Sequence, residues 1–181
     1  AANYAGFPVH SCSVEGHAGA GAFGRFLETS RTLAMLGRVL DVGCGPQPVP
    51  SYLAGIALDR VAGIDPLPPA SGGHPFEFIQ GRAERLPWPG RWFGAVIAAT
   101  SLDHLLDPAR AVVEIWRVLI PCGRFFVWAT LWPDAVSYDP EHPPADLVDG
   151  CHAYHLGPWF REVLARHFRT LRESANPANP N

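Results

Sequence analysis

Two short features, roughly 20 residues apart, carry the chemistry that can be read first. The run Arg38-Val39-Leu40-Asp41-Val42 passes straight into Gly43-Cys44-Gly45-Pro46, and a second apolar run ends Gly63-Ile64-Asp65. Glycines after a buried strand let the backbone turn sharply, and they let a ligand approach where a Cβ atom would otherwise stand. An acid at the end of the next strand can accept hydrogen bonds from both hydroxyls of a ribose. A strand-end Asp on its own often just caps a helix or satisfies turn amides, so the pairing of turn and acid is what points to a nucleoside. The third glycine of a dinucleotide fingerprint would fall at position 48, which is Pro48 here. A helix end of that shape receives a pyrophosphate poorly, which argues against NAD.

These residues need strands that end side by side, and the hydrophobic pattern supplies them. Apolar runs at 38–42, 60–64, 76–79, 94–99 and 124–129 are brief, β-branched or aromatic, and bounded by Gly, Pro or Asp, so they read as buried strands. Helical segments are expected between them. Phe23, Phe26, Leu27, Leu33 and Leu36 recur at helical spacing before Gly37, which predicts a leading helix over 22–36. A second helix is predicted over 108–119, with Asp107 as its cap, Pro108 in its first turn, and Val112, Val113, Trp116 and Leu119 on its inner face; Pro121 and Gly123 would end it. Gly157-Pro158 opens a third, with Trp159, Phe160, Val163, Leu164, His167 and Phe168 on one side. Residues 169–173 are a candidate further strand. Strands alternating with helices give an α/β fold with a doubly wound, mostly parallel sheet, helices on both faces and ligands outside the C-terminal strand ends. The final strand pair of such a sheet would be incomplete here. The expected layout is one domain over 1–181: an irregular arm or lid at 1–21, the core at 22–173 and a tail at 174–181. The Pro- and Asp-rich stretch 132–151 reads as a long loop and a natural substrate wall.

Composition sets the bounds. The chain has 181 residues, 48% hydrophobic and 17% charged, enough for one sizeable core. Its net charge is −3, so no global basic field draws it onto nucleic-acid phosphates. All the basic side chains other than His are Arg, which reads as lineage bias. Cys12, Cys44, Cys122 and Cys151 show no CxxC pair or disulfide-like spacing, so reduced thiols in a cytoplasmic setting are expected, with no structural zinc. No apolar run reaches the roughly 18 residues needed to cross a bilayer. A homodimer is compatible with this composition.

The glycine turn, with Asp41, Gly43 and Gly45 followed by Gln47 where a third glycine is usual, resembles the cofactor motif of class I S-adenosylmethionine-dependent methyltransferases. The resemblance runs from about Val39 to Phe168. Gly81-Arg82-Ala83-Glu84-Arg85-Leu86-Pro87-Trp88 resembles the family segment after the third strand, and Trp92-Phe93-Gly94-Ala95-Val96-Ile97 the fourth strand, with Gly94 in place of an Asp. Leu102-Asp103-His104-Leu105-Leu106-Asp107-Pro108 and the helix leading to Pro121-Cys122-Gly123 complete it, with Cys122 in place of a Gly. It is closest to the small-molecule group of the family that includes ubiquinone-biosynthesis-like enzymes. The resemblance implies S-adenosylmethionine as cofactor, held by Asp41, Gly43, Cys44, Gly45, Asp65, Ala83, Glu84 and Thr100, with Ser101 near the transferred methyl.

Methyl transfer from a sulfonium is an in-line displacement, so alignment and exclusion of water are the main tasks. For a hydroxyl acceptor His104, just past the fourth strand, is the first candidate base, with an unperturbed pKa of about 6.5 suited to proton removal; the competing reading is a residue that caps or packs the next helix. His155 is the second, in Cys151-His152-Ala153-Tyr154-His155, a run whose spacing matches no established zinc pattern. The six Trp residues read as core or sheet-covering aromatics, with Trp132 the one to suspect near substrate. The expected partner is a small-molecule substrate. The rivals are a methyltransferase acting on nucleic acid or protein, and a non-catalytic cofactor-binding or scaffold domain.

Overall fold

The computed structural model of the chain describes residues 19–29, 36–131, 147–148, 151–152 and 156–174. The leading helix α1 covers Ala20–Thr29, starting two residues before the predicted position; residues 30–35 of the expected span lie outside the described residues. Five strands follow: β1 Val39–Val42, β2 Val61–Asp65, β3 Glu77–Gln80, β4 Phe93–Ala99 and, after helix α2 at Pro108–Val118, β5 Leu119–Trp128. They pair in the order β3-β2-β1-β4-β5 with each neighbour parallel. Leu147–Val148 and Cys151–His152 form β6 and β7, a separate antiparallel pair, and α3 covers Pro158–Ala165. Among the described residues no helix is long and apolar enough to cross a membrane.

Strand alternation divides the core between two faces. Leu40, Val42, Ala62, Val96 and Ala98 face α2 and α3, packing on Ala111, Val112, Ile115, Phe160 and Val163. Val39, Val61, Ala95 and Ile97 face the other way, onto Phe23 and Leu27 of α1 and onto Tyr52 and Leu53.

Several expectations are corrected. The β1–β2 crossover contains two single 3-10 turns, Ser51–Leu53 and Leu58–Arg60, instead of an α-helix. The run Pro46-Gln47-Pro48-Val49-Pro50 explains this, because three prolines in five positions remove the amide donors a helix would need. The buried stripe of α2 is Pro108, Ala111, Val112, Ile115 and Val118, while Val113 and Trp116 are exposed and Trp116 rests its ring 5.5 Å from His167. The predicted face was therefore rotated toward the flank: a stripe at 108, 111, 112, 115 and 118 keeps the i, i+3, i+4 rhythm, and α2 rests that stripe on the sheet. Asp107 does cap this helix, its Oδ1 accepting from the Arg110 N–H at 2.9 Å.

Pro121 and Gly123 do not precede β5 but lie inside it. Phe93 pairs with Leu119 and Ala95 with Arg124, so residues 120–123 bulge out of the ladder with Cys122 at φ +63°. An edge strand tolerates the missing proline donor there. Gly94, the departure from the family's Asp, sits where the Leu36 carbonyl leaves no room for a side chain: a Cβ would lie 1.4 Å from that oxygen. Residues 169–173 form no strand; Arg161 of α3 binds Glu173 at 3.0 Å and Arg172 lies over the Phe26 ring at 4.8 Å, so side-chain contacts with two helices hold the segment where strand pairing was expected. α3 stops at Ala165, with His167 in the turn that follows and Phe168 just beyond it. The stretch 132–151 was expected to be loop throughout, yet it includes β6.

Candidate functional site

Because all five strands run the same way, β1, β2 and β4 present their C-terminal ends together, and Gly43, Gly45, Asp65, Thr100 and Ser101 stand at or just beyond those ends. Gly43 leaves β1 at φ +72° and Gly45 follows at φ +69°, a left-handed conformation that favours glycine. The Gly43 N–H donates to the Ile64 carbonyl at 2.8 Å, and the Gly45 N–H donates to Asp65 Oδ2 at 2.9 Å. Asp65 Oδ1 accepts from the Leu67 N–H at 2.9 Å. Each carboxylate oxygen thus has one backbone donor that orients it and a second lone pair for an incoming hydroxyl. Burial raises the Asp65 pKa, while the Leu67 and Gly45 amides and the nearby His74 pull it back toward the ionised form.

The end of β4 closes the third side. Ser101 donates its hydroxyl to the Val42 carbonyl at 2.7 Å, and a Cβ at Gly43 would stand 2.3 Å from the Ser101 Cβ. Glycine at 43 is thus required by a neighbouring side chain as well as by its backbone angle. Thr100, a β-branched residue, is held at φ +54° with its N–H on the Trp128 carbonyl at 2.7 Å. That conformation is strained for threonine, and such strain gathers where surrounding structure is arranged for a ligand.

Asp41 lies beneath the turn, completely buried, with the Tyr52 hydroxyl 2.8 Å from Oδ2 and 3.0 Å from Oδ1. Burial pushes its pKa up to about 7; the Tyr52 hydrogen bond opposes this and the Asp65 charge adds to it. Cys44 is buried too, its thiol pushed up by burial, and its sulfur fills the space beside Gly63. Gln47, the other departure from the family pattern, is not among the residues at positive φ, so the turn makes no demand for glycine there. Instead the loop after β2 steadies it, with the Ala70 N–H on the Pro46 carbonyl at 2.9 Å and His74 Nδ1 3.1 Å from the Pro48 carbonyl.

Ala83 and Glu84 stand after β3 in a 3-10 turn, Ala83–Arg85. Ala83 is buried; Glu84 Oε1 accepts from the Leu106 N–H at 2.8 Å and the Asp107 N–H at 3.1 Å, which fixes the loop entering α2. His104 ends the turn Leu102–His104, partly exposed, with Nε2 3.9 Å from Asp103 Oδ2. The short strand β7 lies beside that same turn. His155 and Trp132 lie outside the described residues. Sequence reasoning missed Tyr52 and His74. Neither belongs to a local motif; both meet the glycine turn only through the fold.

A groove of about 1310 Å³ lies elsewhere, along the outer edge of β5 between Arg124 and the segment through Arg172. The polar groups converge at the strand ends, so that is where the chemistry belongs. The glycine turn, the oriented carboxylate and the strained Thr100 fit a nucleoside-bearing cofactor: backbone amides and an acid at the end of β2 are present, and the glycine turn leads into the 3-10 turn Ser51–Leu53 and not into an α-helix whose N-terminus could face a pyrophosphate.

Comparison with known proteins gives the same picture. Residues 40–127 match a family model described as a methyltransferase domain. An uncharacterized methyltransferase of Mycobacterium tuberculosis is 38% identical over 99 residues, covering 51% of this chain and 40% of that protein. The ubiquinone/menaquinone biosynthesis C-methyltransferase of Erwinia tasmaniensis is 28% identical over 100 residues, covering 54% of this chain and 37% of that protein. The match thus spans about two fifths of the length of these relatives. Among solved structures, a methyltransferase candidate from Bacillus halodurans superposes with a TM-score of 0.62 at 21% identity, over 81% of this chain and 68% of that one. The YcgJ protein of Bacillus subtilis gives 0.61 at 22%, over 81% and 67%; at these identities the likeness is one of fold.

Proposed function

We propose that this chain is a class I S-adenosylmethionine-dependent methyltransferase and that it transfers the methyl group to a small-molecule acceptor. The observation that carries the cofactor site is the Gly45 N–H to Asp65 Oδ2 bond of 2.9 Å, which makes the turn and the ribose-directed acid one unit. Bound S-adenosylmethionine supplies an electrophilic methyl on a sulfonium. Gly43, Cys44 and Gly45 offer it backbone, Asp65 takes the ribose hydroxyls, and the Ala83–Glu84 turn borders the adenine. Asp41 acts from beneath the turn, and Thr100 and Ser101 set the wall beside the methyl. The chain's remaining task is to align an acceptor and exclude water. His104 holds the place from which a base removes a hydroxyl proton, with His155 as the alternative.

A small-molecule acceptor is supported by the net charge of −3 and by the printed role of the Erwinia tasmaniensis relative in ubiquinone/menaquinone biosynthesis. The free thiols Cys44 and Cys122 accord with a cytoplasmic enzyme. The test is transfer of a labelled methyl from S-adenosylmethionine to a panel of hydroxylated aromatics and quinol-like compounds, run beside RNA, DNA and protein. Labelling of a small acceptor supports the reading, and labelling confined to macromolecules overturns it. His104→Ala is expected to lower kcat at least about tenfold while leaving cofactor affinity in place, as for loss of a general base; unchanged kcat moves the role to His155.

A further inference from the structure

We propose that Tyr52 is a positioning residue for the cofactor: it holds the Asp41 carboxylate beneath the glycine turn and ties the seating of α1 to the affinity of that turn. This rests on the reading that the turn and Asp65 hold S-adenosylmethionine. Tyr52 is 4% exposed and Asp41 0%, so their hydrogen bond is shielded from water, where a bond to a charged group is strongest. On the protein side, the backbone after Asp41 is fixed from two directions, by the Gly43 N–H on Ile64 and by Ser101 on the Val42 carbonyl. The Asp41 side chain is fixed from a third, by the Tyr52 hydroxyl. Within two residues of the turn the strand end is therefore gripped by β2, by the β4 loop and by the Ser51–Leu53 turn.

Tyr52 is in turn seated by α1. The Phe23 ring meets it edge-on with centroids 5.7 Å apart, and Phe23 also packs 5.6 Å from Trp128 at the end of β5. At Gly24 the helix runs alongside the Ser51–Leu53 turn, where a Cβ would lie at ordinary contact distance, 4.0 Å, from the Tyr52 Cα. A line of contact thus runs from α1 through Phe23 and Tyr52 to Asp41 and the turn. The titratable groups facing Asp41 are Tyr52 from the 3-10 turn, Cys44 from the glycine turn and Asp65 from β2. Of these, Tyr52 is the one that favours the ionised carboxylate, by donating to it. The donor to be bound carries a cationic sulfonium, which an ionised Asp41 favours and a protonated one does not.

The experiment is calorimetric titration of the whole chain with S-adenosylmethionine between pH 6 and 9, for the wild type, Tyr52→Phe, Asp41→Asn, the double variant of the two, and Phe23→Leu, with thermal melts to establish folding. Tyr52→Phe keeps the ring against Phe23 and removes only the hydroxyl. The expected result is a loss of about tenfold in affinity at neutral pH, with the pH midpoint of binding moved upward because Asp41 then keeps its proton longer. A packing role alone would not move that midpoint. In the Asp41→Asn background the same substitution is expected to have little effect. Phe23→Leu should weaken binding in the same direction by a smaller factor, and it carries the test if Tyr52→Phe does not fold. Wild-type affinity and an unmoved midpoint in the folded variants overturn the inference. Failure of the wild type to bind at all overturns instead the cofactor reading on which it rests.

Discussion

On the face of the sheet that carries α2 and α3, the core is built from Leu40, Val42, Val96, Ile115, Phe160 and their apolar neighbours. On the opposite face Val39, Val61, Ile97 and Phe23 are buried as well, but the buried Asp41 and Tyr52 share their layer, and the covering between β1 and β2 is 3-10 turns in place of an α-helix. The first face follows the ordinary rules of strand and helix patterning, and its residues serve stability. The second accepts a desolvated carboxylate directly under the residues that would touch a ligand. Burying such a charge costs several kcal/mol unless it is paired or neutralised, so its presence marks the side on which the fold is shaped for something other than stability.

The sharpest way to break this comparison is to damage the two faces separately. Ile115→Ala, on the apolar face, is expected to cost about 2–5 kcal/mol of unfolding free energy while leaving S-adenosylmethionine affinity unchanged in the folded protein. Denaturant titration and calorimetry would show it, and a parallel loss of affinity would mean the faces are not independent. Asp65→Ala should do the reverse, weakening S-adenosylmethionine about 100-fold, or ~2.7 kcal/mol, with a much smaller change in melting temperature and no gain of NAD binding.

The Asp41 carboxyl should appear in the pH dependence of stability. Its folded pKa is raised from 3.8 to about 7, so the folded chain holds a proton that the unfolded chain has lost. Between those values stability contributed by this group falls as pH rises, with a limiting slope of about 1.4 kcal/mol per pH unit, and it is fully present only below the unfolded pKa. Comparing chemical denaturation of the wild type and Asp41→Asn from pH 4 to 8 isolates the effect; parallel curves would show that Asp41 is not desolvated as described. The smallest effect lies away from both faces: Cys122→Gly, at φ +63° in the β5 bulge, is expected to stabilise the fold by about 1 kcal/mol. A destabilised variant would mean that Cys122 makes compensating contacts.

Much of the molecule was legible because the signals were local. The five strands, the Asp107 cap with Pro108, and the joining of Gly45 to Asp65 follow from period, capping chemistry and the shared direction of parallel strands. What was misread depended on neighbours distant in sequence. Trp116 looked like a core residue by spacing, but the orientation of α2 on the sheet leaves it exposed. Pro121 and Gly123 looked like a stop, but pairing with β4 carries the strand through them as a bulge.

The sequence by itself determined the order of elements, the glycine turn and the acid that answers it, because hydrophobic period, backbone permissiveness and charge are properties of short stretches. Only the tertiary structure decided which groups surround those residues. That Tyr52 lies under Asp41, that Ser101 occupies the space a Gly43 side chain would need, and that His74 reaches the Pro48 carbonyl are consequences of strands from distant parts of the chain ending at one place. No stretch of sequence can encode such contacts alone, since each exists only once the sheet has closed the distance.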